Sequence, residues 1–230
     1  MIRSVAPKWM PVCWRRCAVL AALLMSLSSF AGCSLGVMAG KAIFGDPKTP
    51  SEFRNRTGAD LTKGDKTLLV IVQTPQSVET ELPSLDLDLI DAITRRLKLH
   101  GVKVVEPDRV AKWIDTNGGH FDHPTELAQR FEADFIAVID VEKFTFHDAT
   151  SPNLYHGEAA GQVQVYEVRE AAGAKQAQQV FGANFRNEYP QHGPVPVDQL
   201  SPKMFQKRFI DNLSERLGSR FYDYRVGDEF

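Results

Sequence analysis

Only three of the 230 residues are cysteine, and all three lie within the first 33. Past Cys33 no disulfide framework, zinc knuckle or thiol nucleophile can be built. An excess of positive charge is also missing: 27 Lys and Arg stand against 29 Asp and Glu, a net charge of −2. That leaves no basic field for nucleic acid. No glycine-rich loop follows the first strand-like run, which leads from Val72 into Gln73-Thr74-Pro75-Gln76. A phosphate cradle and a dinucleotide turn are thereby excluded. With 43% hydrophobic and 24% charged residues, the composition is that of a globular chain with a core. It fits neither wholesale disorder nor a multispan membrane protein.

Charge is unevenly placed. Arg3, Lys8, Arg15 and Arg16 are the only charged residues before residue 33, and without them the remainder carries −6. Arg15-Arg16 precede the apolar run from Cys17 to Leu27, and small residues follow it, which predicts an export signal over residues 1–32. An eleven-residue run reaches about 16 Å as a helix, roughly half the hydrocarbon thickness, so cleavage is expected rather than a span. The competing reading is an uncleaved anchor, because no charge occurs between Arg16 and Lys41. Ser26, Ser28, Ser29, Gly32, Ser34, Gly36 and Gly40 dilute the second half of that stretch.

At the end of the run stands Phe30-Ala31-Gly32-Cys33. It resembles the lipobox of bacterial lipoproteins: an apolar residue, two small residues, then the cysteine that is acylated and becomes the new amino terminus. The family most often has Leu where Phe30 stands. The resemblance implies lipidation of Cys33, palmitate included, and, with Ser34 rather than Asp following it, an outer-membrane address facing the periplasm. Several acyl chains hold stably where one holds marginally, at about 0.8 kcal/mol per buried methylene. Cys13 and Cys17 would leave with the signal and Cys33 would be blocked by lipid, which suits an oxidising compartment. Residues 33–66 have no sustained pattern and contain Asp46-Pro47-Lys48-Thr49-Pro50-Ser51, Gly58 and Gly64. They read as a tether of roughly 30 Å end-to-end distance.

A single α/β domain is expected over residues 67–230. Thr67 to Val72 is a continuous apolar run, the mark of a strand buried on both faces. Leu85, Leu89, Ile93 and Leu97 recur every four residues between Ser84 and Gly101, predicting a helix over 85–100 with Ser84 as its cap. A short strand, Val102 to Val105, precedes a helix capped by Asp108, and Pro124 opens another through Leu127 and Phe131. Phe135 to Val141 reads as a second doubly buried strand running on towards Phe146. The period then becomes two: Val163 and Val165, then Phe181, Ala183 and Phe185, with Gly173 between, predict an antiparallel hairpin. Ser201-Pro202 starts a last helix with Phe205, Phe209, Leu213 and Leu217 on one stripe. The expected order is β-α-β-α-α-β-β-β-α: one mixed sheet of about five strands with packed helices.

This order behind a lipobox resembles the small α/β domain of envelope assembly lipoproteins: curli-secretion lipoproteins, lipoprotein activators of penicillin-binding proteins, and the TolB amino-terminal domain. The residues carrying it are Leu68 to Val72, Arg95 to Val110 and Ala133 to Val138, within a span of about 67–222. The extra pore-forming hairpins of the curli channel have no counterpart, so secretion is not implied. The resemblance implies a lipid-anchored module of the cell envelope that binds a protein partner.

Histidines are the only other candidates for chemistry. His120 and His123 flank Asp122 in a Gly/Pro loop, and His147-Asp148 and His156 lie near Glu158 beside strand ends. Three ligands on a loop can hold a metal, but the pattern equally fits a solvated turn with Asp122 or His123 at a helix cap. No nucleophile elbow or HExxH accompanies these loops. The sequence therefore predicts a binding or assembly module with no catalytic residue, no metal and no cofactor, whose partners are the membrane, through Cys33, and an envelope protein. The alternative is an envelope hydrolase, metal-dependent or not, using His120, His123, His147 and His156.

Overall fold

The central strand is made by the apolar run. In the computed structural model, which describes residues 48–118, 121–148, 151–171 and 173–225, strand β1 (Thr67–Gln73) buries Leu68, Leu69, Val70, Ile71 and Val72 in succession. Residues of alternate direction can all be buried only when both faces are covered. β1 runs parallel to β2 (Lys103–Val104) on one side and β3 (Phe135–Asp148) on the other. β3 pairs antiparallel with β4 (Ser151–Ala171), and β4 with β5 (Ala174–Tyr189). The short β6 (Val195–Pro196) continues the line of β5 by pairing with Leu154 and Tyr155 of β4. The order across the sheet is β2-β1-β3-β4-β5.

Helices fill the crossovers. Between β1 and β2 come α2 (Gln76–Glu81) and α3 (Leu85–Leu99), and between β2 and β3 come α4 (Pro107–Asn117) and α5 (Pro124–Arg130). The stripe Leu85, Leu89, Ile93 and Leu97 of α3 is buried, as is Phe205, Phe209, Leu213 and Leu217 of α6 (Pro202–Gly218), and the two helices pack together. Gly101 ends α3 at φ 80°, where Val102 N–H donates to Leu97 O at 3.0 Å; the left-handed turn this needs is open to glycine. Ser201 Oγ caps α6 by accepting from Met204 N–H at 3.4 Å. Ser84 stands at the start of α3 but gives its hydroxyl to Asp88 Oδ2 at 3.2 Å instead of capping the backbone. α4 begins at Pro107, so Asp108 lies in the first turn rather than at the cap; the fixed φ of proline suits the first helical position.

The predicted mixed α/β order is observed, with α2, β6 and an earlier helix added. That helix, α1 (Glu52–Thr57), lies in the stretch read from the sequence as tether. The compact unit starts at Thr49 and ends at Tyr224, so 49–66 is folded chain and the expected boundary at Thr67 moves. The cause is Phe53, fully buried and edge-on to Phe135 at 5.3 Å and Phe181 at 5.9 Å. Ser51 Oγ caps α1 through Arg54 N–H, Ser51 N–H donates to Asp223 Oδ1 at 3.0 Å, and Arg54 pairs with the Asp223 carboxylate. A Leu61 turn follows, also buried, with Asp60 capping Thr62 N–H at 3.0 Å. Lys48 and Arg225, the described members of the second unit, are extended backbone. No helix among the described residues is long and apolar enough to cross a membrane.

Candidate functional site

The hairpin strands β3, β4 and β5 extend well beyond the parallel strands, and their two faces differ. On β4, Tyr155, Gly157, Ala159, Gly161, Val163 and Val165 are buried, while the residues between them are only partly covered. The buried side receives α6, and it does so at close range. A Cβ on Gly157 would lie 2.7 Å from Phe209 Cδ1, inside contact distance, and one on Gly161 would lie 2.0 Å from Asp140 O, where β3 carries a bulge between Val141 and Lys143. Glycine allows both approaches.

On the other side lies a polar surface. Register places Lys143 opposite Ala160 and Thr145 opposite Glu158 across β3 and β4, and Ala160 opposite Arg186 and Glu158 opposite Glu188 across β4 and β5. Lys143 Nζ donates to Glu158 Oε2 at 2.5 Å, and Arg186 Nη2 sits 3.1 Å from Glu158 Oε1 and 3.0 Å from Glu188 Oε1. The hydrogen bond from Lys143, with the charges of Lys143, Arg186 and His156, holds the Glu158 carboxyl below its ordinary range against the opposing effect of burial. Next to this cluster runs a ladder along β4. Tyr166 OH donates to Gln164 Oε1 at 2.5 Å, Gln164 Nε2 to Gln162 Oε1 at 2.9 Å, and Gln162 Nε2 to Asp140 Oδ2 at 3.4 Å. Burial pushes the Tyr166 hydroxyl up, so it stays a donor. Such an array of amides, carboxylates and cations offers hydrogen bonds and ion pairs to a partner surface.

His123 and His147 do not converge. His123 caps α5: its Nδ1 accepts from Thr125 N–H at 3.1 Å, and Thr125 Oγ1 in turn accepts from Ala177 N–H of β5 at 3.2 Å. His147 lies at the far end of β3, exposed, its ring 5.2 Å from that of Tyr155. From Phe135 to His147 the strand covers roughly 40 Å, and Phe135 is at the same end as Ala177, since Glu167 and Val168 of β4 pair with them. A site drawing on both His123 and His147 is therefore not formed. His156 faces the polar side, with Nε2 4.0 Å from Glu188 Oε2 and Nδ1 buried with no partner among the described residues. Asp122 is exposed in the loop before His123. Among the described residues no group of three or more His, Cys, Asp or Glu is placed to hold a metal ion. Cys33, the expected lipidation site, and His120 lie outside the described residues. What sequence reasoning missed is the cluster of Lys143, Glu158, Arg186 and Glu188, which only the strand register reveals.

The fold is thus a mixed α/β sheet whose hairpin half carries a partly exposed polar side. No family model and no curated protein sequence matches the chain. Among solved structures, the PelC dodecamer from Paraburkholderia phytofirmans aligns at 12% identity over 76% of this chain and 96% of that one, with a TM-score of 0.37. A lipoprotein from Neisseria meningitidis aligns at 11% identity over 66% and 96%, TM-score 0.37. A minor lipoprotein from Acinetobacter baumannii aligns at 13% over 70% and 96%, TM-score 0.27. At these scores the likeness carries no residue role or activity to this chain.

Proposed function

We propose that this chain is a non-catalytic binding and assembly module of the bacterial cell envelope. Cys33 carries the lipid that holds it to the periplasmic face of the outer membrane, and the polar side of β3, β4 and β5 engages an envelope protein. The observation that carries the reading is the polar side of the hairpin half: Lys143 and Arg186 are exposed there, Glu158, Gln162 and Gln164 partly so, and they are joined by ion pairs and hydrogen bonds. The lipobox Phe30-Ala31-Gly32-Cys33 supports the anchor, and the resemblance of residues 67–222 to envelope assembly lipoproteins supports the role. The hydrolase alternative has less support, because His123 and His147 are parted along β3. The anchor is tested by the intact mass of the protein extracted from membranes, beside Cys33→Ala. The expected mass is that of residues 33–230 plus diacylglyceryl and acyl groups, lost in the variant. Retention of residues 1–32 in the mass, or cleavage without lipid, would overturn the anchored reading.

A further inference from the structure

An edge strand turns the N–H and C=O of alternate residues away from its sheet, and folded proteins close such groups off. On β5 most of this closing is visible. Arg56 Nη1 donates to Gly182 O at 2.8 Å, Arg220 Nη2 donates to Asn184 O at 3.1 Å, and Ala177 N–H is taken by Thr125 Oγ1. Gly182 and Asn184 therefore belong to the outward set. The register of β4 with β5 is unbroken from Gly182 to Tyr189, so Arg186 and Glu188 belong to it too. Their outward backbone groups meet no partner among the described residues.

The side chains at this open stretch show what fits it. Glu158 and Glu188 lie directly opposite across β4 and β5, an arrangement of like charges that destabilises a sheet unless cations stand beside it. Lys143 and Arg186 serve Glu158, so Glu188, whose Oε1 also accepts from Arg186 Nε at 3.0 Å, shares its one close cation with Glu158. Beyond Glu188 the row ends at the open edge, and the neighbouring row ends there in Arg186. We propose that this edge pairs antiparallel with the same edge of a second copy, about a two-fold axis at Asn187. In that register Arg186 faces the partner's Glu188 and Glu188 faces the partner's Arg186. Both residues belong to the outward set, so each pair exchanges two backbone hydrogen bonds, and each Glu188 carboxylate gains a second cation on its open side beside the Arg186 it shares with Glu158. The segment is complementary to itself in charge and in hydrogen-bonding phase, which selects a second copy over an unrelated strand. The dimer joins two polar faces into one continuous platform. It does not depend on the lipid anchor, so the two can fail separately.

The test is sedimentation equilibrium of the full chain in density-matched detergent. The wild type is expected to show a monomer–dimer equilibrium. Arg186→Glu and Glu188→Arg each place two like-charged pairs across the axis and are expected to weaken dimerisation at least about tenfold. The double reversal, R186E with E188R, restores the opposite pairs and is expected to return to within about threefold of the wild type. Amide exchange supplies a reading that needs no variant: the N–H groups of Arg186 and Glu188 should exchange more slowly as protein concentration rises. A chain monomeric at every concentration, self-association indifferent to both reversals, or exchange at 186 and 188 independent of concentration would each overturn the proposal.

Discussion

The parallel and antiparallel halves of the sheet differ in how the chain reaches them. β1 is flanked by parallel strands, and each parallel connection has to carry helices back along the sheet, so both its faces are covered and five consecutive residues are buried. β4 and β5 are reached by hairpins, which bring no helix with them. α6 returns to their buried side, while α5 and α1 meet β5 towards its Ala177 and Phe181 end, and the buried residues of β4 alternate accordingly. Open surface in this molecule is thus a consequence of hairpin connection, and the polar cluster falls where the crossovers stop.

The largest effect is expected from emptying the core where the amino-terminal helix enters it. Phe53→Ala is expected to cost about 3–5 kcal/mol, measured by urea unfolding of the full chain; a cost below about 1 kcal/mol would put α1 outside the cooperative unit. Somewhat smaller is the effect of Gly161→Ala, at about 2–3 kcal/mol, because the new Cβ meets the Asp140 carbonyl on the closely packed side. Thr145→Ala, exposed on the open side, should stay within about 0.5 kcal/mol of the wild type. Equal costs at the two positions would contradict the difference between the sides. Smallest is the pH effect of Glu158. Its carboxyl is held below its ordinary value of 4.5 in the folded chain, so its contribution is present above that value and is lost as pH falls through the lowered one. Glu158→Gln should therefore lose less stability than the wild type between pH 6 and pH 3, read from thermal melts across that window.

The same contrast explains what could be read from the sequence. β1, α3 and α6 announce themselves because their burial needs bulky residues at fixed spacing, and Gly101 and Gly173 mark turns at φ 80° and 79°. α1 is silent because one residue, Phe53, does all its burying and no period can be seen in six positions. The early part of β4 is silent for the opposite reason: Gly157, Ala159 and Gly161 are buried, but the closeness of Phe209 and of the β3 bulge forbids large side chains there, so the alternation has no apolar signal. His123 beside Pro124 was legible as a cap. Its distance from His147 was not, because that depends on β3 continuing through its bulges as far as Asp148. The cluster around Glu158 depends on the bulge after Val141 and on the turn at Gly173, which together set which charges meet.

The most direct test of the central claim is site-specific photo-crosslinking in intact cells, with the probe placed in turn at Thr145 and Gln164 on the open side and at Lys112 on α4. A discrete adduct with one envelope protein is expected at Thr145 and Gln164, absent at Lys112 and reduced when Cys33 is replaced by alanine. Adducts of equal strength at all three positions, or at Lys112 alone, would contradict it.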